Sequence, residues 1–229
     1  MIVGTAVCPH PPLLLRELTG GQDVAADLRK ACEAALACLV ALGPEVIVVV
    51  GGAEAGGAHA PGPAPVGAFG GAGAGPSKDA LPLSLGVAGR LLDAVAPAVP
   101  VEMRAVAFDA GPAAVAESAR LIADRPERVG LLVMGDGSAR RGVRAPGHLD
   151  ERAFDFDERV RRALAGADPA ALLGLEPDLA AELLVAGRAA LQVMAAAVVR
   201  GGASYRPEML LADDPFGVMY MVAVWSCES

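Results

Sequence analysis

Glu45-Val46-Ile47-Val48-Val49-Val50-Gly51-Gly52 is a nearly unbroken run of β-branched residues closed by paired glycines. A strand with one wet face alternates apolar and polar residues. A continuous apolar run of this length reads instead as a strand buried on both faces, as in a parallel sheet. Two more segments read the same way, Ile2–Cys8 and Val129–Met134. Further strands are expected over 99–108, 208–212 and 218–225, the last two separated by the turn signal Asp213-Asp214-Pro215-Phe216-Gly217. Helical spacing fills the intervals. One helix is expected over 23–42, with Asp23 as N-cap and Gly43-Pro44 as the stop. Others are expected from Leu81 to Val95, over 112–123, as a charged helix over 150–165, and as two alanine- and leucine-rich segments within 169–200. Strands alternating with helices predict an α/β fold: a single domain over 1–229, with a central twisted, mostly parallel sheet and helices on both faces. Residues 51–80 are almost all Gly, Ala and Pro and predict either a mobile irregular loop over the sheet edge or a locally disordered stretch.

Composition narrows the function classes. The net charge is −8 and the pI near 4.9, which argues against a nucleic-acid-binding surface. The short arginine clusters at Arg140, Arg141, Arg144 and at Arg159, Arg161, Arg162 are interleaved with acids and suit a solvated face or an anion contact. No apolar stretch approaches the roughly 20 residues of a membrane span. The early apolar run is too short for a secretory signal and ends in prolines. Four cysteines without a CxxC pair suit buried thiols in a reducing cytoplasm.

Chemistry is expected at strand ends, because open α/β sheets gather their sites in the crevice beyond the carboxyl ends of the strands. His10, one of only three histidines, directly follows the first strand and is bracketed by Pro9 and Pro11. These prolines fix φ and remove donors, holding the imidazole on a stiff turn. Glu54 follows the second strand, and Gly135-Asp136-Gly137-Ser138 follows a later one. His10, Glu54, Asp136 and Ser138 are therefore the candidate pocket residues. His148, next to a helix start, reads as a surface or capping residue, and Tyr220 and Trp225 as core. The chain has no phosphate-binding loop, no Gly-x-Ser-x-Gly elbow and no His-Glu-x-x-His.

Four pieces together resemble the class III extradiol ring-cleavage dioxygenase catalytic-subunit (LigB-like) superfamily, whose fold the Memo-like proteins share. They are Pro9-His10-Pro11-Pro12-Leu13-Leu14, Leu81-Pro82-Leu83-Ser84-Leu85-Gly86, Leu132-Val133-Met134-Gly135-Asp136-Gly137-Ser138 and Asp213-Asp214-Pro215-Phe216-Gly217-Val218-Met219-Tyr220. The chain is most similar to an actinobacterial, alanine-rich branch carrying the same Gly-Asp-Gly-Ser-Ala-Arg-Arg motif. The resemblance implies a site where two histidines and a glutamate hold non-haem Fe(II), with a further histidine as acid/base. His10 matches the first ligand. The second position falls on Gly51-Gly52-Ala53, leaving His59 further along as the remaining metal candidate. The acid/base position is Ala139, and the glutamate position falls near Leu191 or Gln192, with Glu182 about three helical turns away.

The resemblance therefore implies a superfamily member lacking a complete Fe(II) site, which binds a small aromatic molecule or a protein. The alternatives are an active dioxygenase using Fe(II) or another divalent metal on a catechol, and a Memo-like assembly protein. Association as a homodimer is expected, with neither nucleic acid nor membrane as a partner.

Overall fold

The computed structural model describes residues 1–19, 23–71 and 80–228. Among the described residues seven strands form one sheet: β1 (Ile2–Cys8), β2 (Val46–Ala53), β3 (Gly57–His59), β4 (Val101–Ala107), β5 (Val129–Met134), β6 (Tyr205–Asp213) and β7 (Tyr220–Cys227). Their spatial order is β3-β4-β2-β5-β1-β7-β6. The middle four, β4-β2-β5-β1, are parallel, whereas β3 on one side and the β7-β6 pair on the other run antiparallel to their neighbours. The sheet is thus mixed rather than mostly parallel, because both edges are closed by locally paired chain. Eight helices accompany it among the described residues: α1 (Arg16–Thr19), α2 (Ala26–Ala41), α3 (Leu83–Val95), α4 (Pro112–Ala123), α5 (Arg152–Ala165), α6 (Pro169–Leu173), α7 (Pro177–Glu182) and α8 (Arg188–Gly201).

The β-branched run behaves as its composition requires. Val46, Val48 and Val50 point to one face and pack with α4, α5 and α8, while Ile47 and Val49 point to the other and pack with α2 and α3. The same division separates Leu131 and Val133 from Leu132 and Met134 on β5. Period-two alternation with two apolar faces is what a sheet covered on both sides demands.

Several expectations are corrected by close packing. β2 does not stop before the paired glycines but runs through them to Ala53. Gly51 lies against Ser84 at the start of α3, and a Cβ on Gly52 would fall 2.6 Å from a ring atom of Phe108. The glycines are there for approach, not for a turn. Nor is 51–80 a single irregular loop: it carries the end of β2, the edge strand β3 and a 3₁₀ turn at Val66–Phe69, while residues 72–79 lie outside the described residues. Asp23 does not cap α2. The helix starts at Ala26, and Asp23 instead takes Arg29, whose Nη2 lies 3.1 Å from its Oδ1. The segment 169–200 holds three helices rather than two, with Asp168 capping the first by accepting the Ala171 N–H at 3.0 Å. Cys8 and Cys32 are buried as expected, but Cys38 is exposed and Cys227 half-buried.

Trp225 has a second task beyond filling the core. Its indole N–H donates to the Leu164 carbonyl at 2.7 Å, one of the last-turn carbonyls of α5 that the helix itself leaves free. Trp225→Phe removes that donor and leaves a buried acceptor unmet. A loss of about 1–3 kcal/mol is expected, measured as a shift in urea midpoint; an unchanged midpoint would show that the bond contributes nothing.

Candidate functional site

The parallel strands all end at one edge of the sheet. From β1 and β2 the chain leaves to the face covered by α2 and α3, and from β4 and β5 it leaves to the face covered by α4 and α5. β5 lies between β1 and β2, so its end is flanked by connections diverging to the opposite face, the arrangement that opens a crevice in such sheets. An open cavity of about 810 Å³ lies there. It is lined by His10 after β1, Gly52, Ala53 and Glu54 at the end of β2, His59 on β3, Phe108 after β4 and Asp136 after β5. Leu81, Leu83 and Ser84 of the α3 entry and Ala186 complete much of its wall.

His10 and Asp136 form the floor. His10 is 4% exposed and Asp136 is 9% exposed. The His10 backbone N–H donates to Asp136 Oδ1 at 2.8 Å, and its ring Nδ1 lies 3.7 Å from the same oxygen, beyond hydrogen-bond range. Nδ1 is buried and has no hydrogen-bond partner among the described residues. Burial pushes the Asp136 carboxyl above the usual carboxylate range, opposed by the facing imidazole and by the His10 N–H. Tyr220 approaches from β7, and its phenol is also raised, by burial first and by the Asp136 charge second.

The chain holds this floor from below. Gly135 N–H donates to Cys8 O at 2.9 Å, and Gly187 N–H donates to Asp136 O at 3.0 Å. A Cβ on Gly187 would fall 2.6 Å from that same carbonyl oxygen, so only glycine permits the contact. The turn after His10 is fixed by Arg29, which donates to the Leu14 carbonyl while paired with Asp23. On the opposite wall Arg188, itself buried, donates to the carbonyls of Phe108 and Ala110 and to Gln192 Oε1. Sequence reasoning missed Phe108, the α3 entry and Arg188. Ser84 and its leucines were visible in the Leu-Pro-Leu-Ser-Leu run, but nothing in the sequence marked Arg188.

The sequence-derived candidates divide. His10, Glu54, Asp136 and His59 line one cavity, and His59 reaches it from a paired strand opposite Met103 rather than from a loose loop. Ser138 does not line it. Its hydroxyl donates to Leu183 O at 2.7 Å and accepts from the Arg140 N–H, and its own N–H donates to Asp157 Oδ1 at 2.9 Å, so it locks the loop. Leu191 is core, and Gln192 spends its amide on the carbonyls of Leu173 and Leu175. Glu182 pairs with Arg152 on the surface. His148 is exposed, with a left-handed backbone at φ 58°. Arg141 meets anions from its own chain, Asp157 at 3.2 Å and Asp214, and lies over the Phe154 ring.

A facial Fe(II) centre needs three protein donors around one point. Among the described residues no group of three His, Cys, Asp or Glu side chains is placed to hold an ion. His10 and His59 share a cavity, but the residues described do not assemble the iron site that the resemblance implies.

Comparison with known proteins gives the fold alone. No family model matches the chain, and no curated protein matches it. Among solved structures, the uncharacterized protein JW3007 from Escherichia coli K12 aligns with a TM-score of 0.53 at 15% identity, over 98% of this chain and 99% of that one. No helix among the described residues is long and apolar enough to cross a membrane.

The loop carrying Asp136 is tied down by a group that titrates. Asp157, fully buried on α5, is pushed up to about 6 by burial, against the pull of the Ser138 N–H and Arg141; nearby Asp214 adds to the rise. The folded-state value lies above that of a free aspartate, about 3.9, so the native state takes up the proton first. This group's contribution is greatest at low pH and is lost as pH rises through 6. Between pH 7 and pH 5 the wild type is expected to gain about 1 kcal/mol relative to Asp157→Asn, measured by urea unfolding at each pH. A pH-independent difference would contradict this.

Proposed function

We propose that this chain is a LigB-like member of the class III extradiol dioxygenase superfamily that binds a small molecule in the strand-end cavity without the family's complete iron site. The carrying observation is the cavity itself, an open space of about 810 Å³ at the diverging ends of β1, β5 and β2, walled mainly by apolar side chains and floored by a buried His–Asp pair. Binding pockets commonly pair an apolar wall with a few fixed polar groups that orient the ligand. His10, stiffened by prolines, and Asp136, pinned through Gly187, are such groups. Phe108 gives the wall an aromatic surface suited to a planar ring. Catalysis of ring cleavage by a bound divalent metal and assembly through a homodimer are the competing readings. The second finds some support in exposed apolar side chains at Val143, Leu184 and Phe216.

The reading is tested by titrating isotopically labelled protein with a panel of small phenols and following amide resonances. Shifts confined to Gly52, Ala53, Phe108 and Asp136, with affinity reduced at least tenfold by His10→Ala, are expected. Binding that maps to another surface, or that survives His10→Ala unchanged, would overturn it.

A further inference from the structure

We infer that the cavity selects a cationic nitrogen, a protonated amine carried on a small apolar or aromatic body, with Asp136 as its counter-ion. This rests on the small-molecule reading above and names the class of ligand that the pocket recognises.

The starting observation is an incompletely satisfied carboxylate. Asp136 lines the cavity with its side chain 13% exposed, and one backbone N–H, that of His10 on Oδ1, is the carboxylate's single hydrogen bond among the described residues. Oδ2 accepts none among the described residues and is open to the cavity, although an ionised carboxylate has room for about four. The imidazole at 3.7 Å is too far to make up the difference. Solvent reaches Oδ2 through the open cavity, so a ligand that takes the water's place must itself supply a donor there.

The charge around it sets the sign of the ligand. Glu54 adds a second carboxylate at the exposed rim. No lysine or arginine is among the described residues lining the cavity, whose basic side chains are the imidazoles of His10, facing Asp136, and His59. The arginines that brace the neighbouring loops are committed elsewhere: Arg141 to Asp157 and Asp214, Arg188 to two carbonyls and Gln192, and Arg29 to Asp23 and the Leu14 carbonyl. An anionic ligand would meet two like charges here. A neutral one could donate a hydrogen bond but leave the charge in place. A protonated amine does both, through a charge-assisted bond roughly twice as strong as a neutral one. Phe108, 40% exposed on the same wall, offers an aromatic face to a cation as well as to a ring.

Three probes sharing one ring separate these cases: tyramine, tyrosol and 3-(4-hydroxyphenyl)propionate, which end in an ammonium, a hydroxyl and a carboxylate. Calorimetric titration of the full chain at pH 7 is expected to rank tyramine at least tenfold tighter than tyrosol, with the carboxylate weakest. Asp136→Asn keeps an acceptor for the His10 N–H and should bring tyramine to the level of tyrosol while tyrosol itself is unchanged. Should that variant fail to fold, the ranking in the wild type still decides. Equal affinities for tyramine and tyrosol, or a preference for the carboxylate, would overturn the inference and leave the small-molecule reading standing. If none of the three binds at millimolar concentration, both fall together.

Discussion

The packing of Gly187 against the backbone of Asp136 is the constraint on which the site depends. It places the start of α8 directly beneath the end of β5, where a single methyl group would collide with the Asp136 carbonyl oxygen. Because that carbonyl is bound by the Gly187 N–H and the carboxylate above it by the His10 N–H, the residue is gripped from both ends. His10 is thereby held on the floor of the crevice by backbone contacts that involve neither side of its ring. A site whose polar groups are positioned by main chain in this way is set before any ligand arrives, which lowers the cost of binding.

The rest of the fold supplies the rigidity behind that contact. β5 and β2 are fully buried strands flanked by helices on both faces, so the strand ends that carry the site cannot drift independently. The loop beyond Asp136 is anchored a second time by Ser138, Asp157 and Arg141, with Gly137 donating to Met219 O at the start of the β7 arm. The opposite wall is fixed by Arg188, a buried guanidinium that is satisfied by carbonyls rather than by a carboxylate. Its pKa is lowered by desolvation, as expected for a charge held in this way.

Much of the fold was legible because apolar pattern and burial coincide. The runs at Ile2–Cys8 and Val129–Met134 are strands end to end, short and largely apolar segments that a sheet covered on both faces buries completely. Misreadings occurred where a small residue serves packing rather than conformation. Gly51 and Gly52 looked like a strand end, but they are extended backbone pressed against Ser84 and Phe108. Asp23 looked like a cap because capping is a local rule, while its partner Arg29 is recruited by the turn behind His10. At the site, His10 and Asp136 were legible as strand-end residues. Ser138 carried the same signal but turned inward, and Arg188 carried none, because both are defined by partners distant in sequence. His59 was placed in a loop because Gly- and Ala-rich chain shows no strand pattern, although such chain can still pair along the edge of β4.

The central claim is that the strand-end cavity is a ligand pocket whose donors do not assemble an iron centre. It is tested most directly by counting metal on protein reconstituted with Fe(II) under anaerobic conditions and then desalted. Substoichiometric iron, the same for wild type and His10→Ala, is the result expected from the side chains brought together here. One iron per chain, lost in His10→Ala and accompanied by oxygen uptake with catechols, would contradict it.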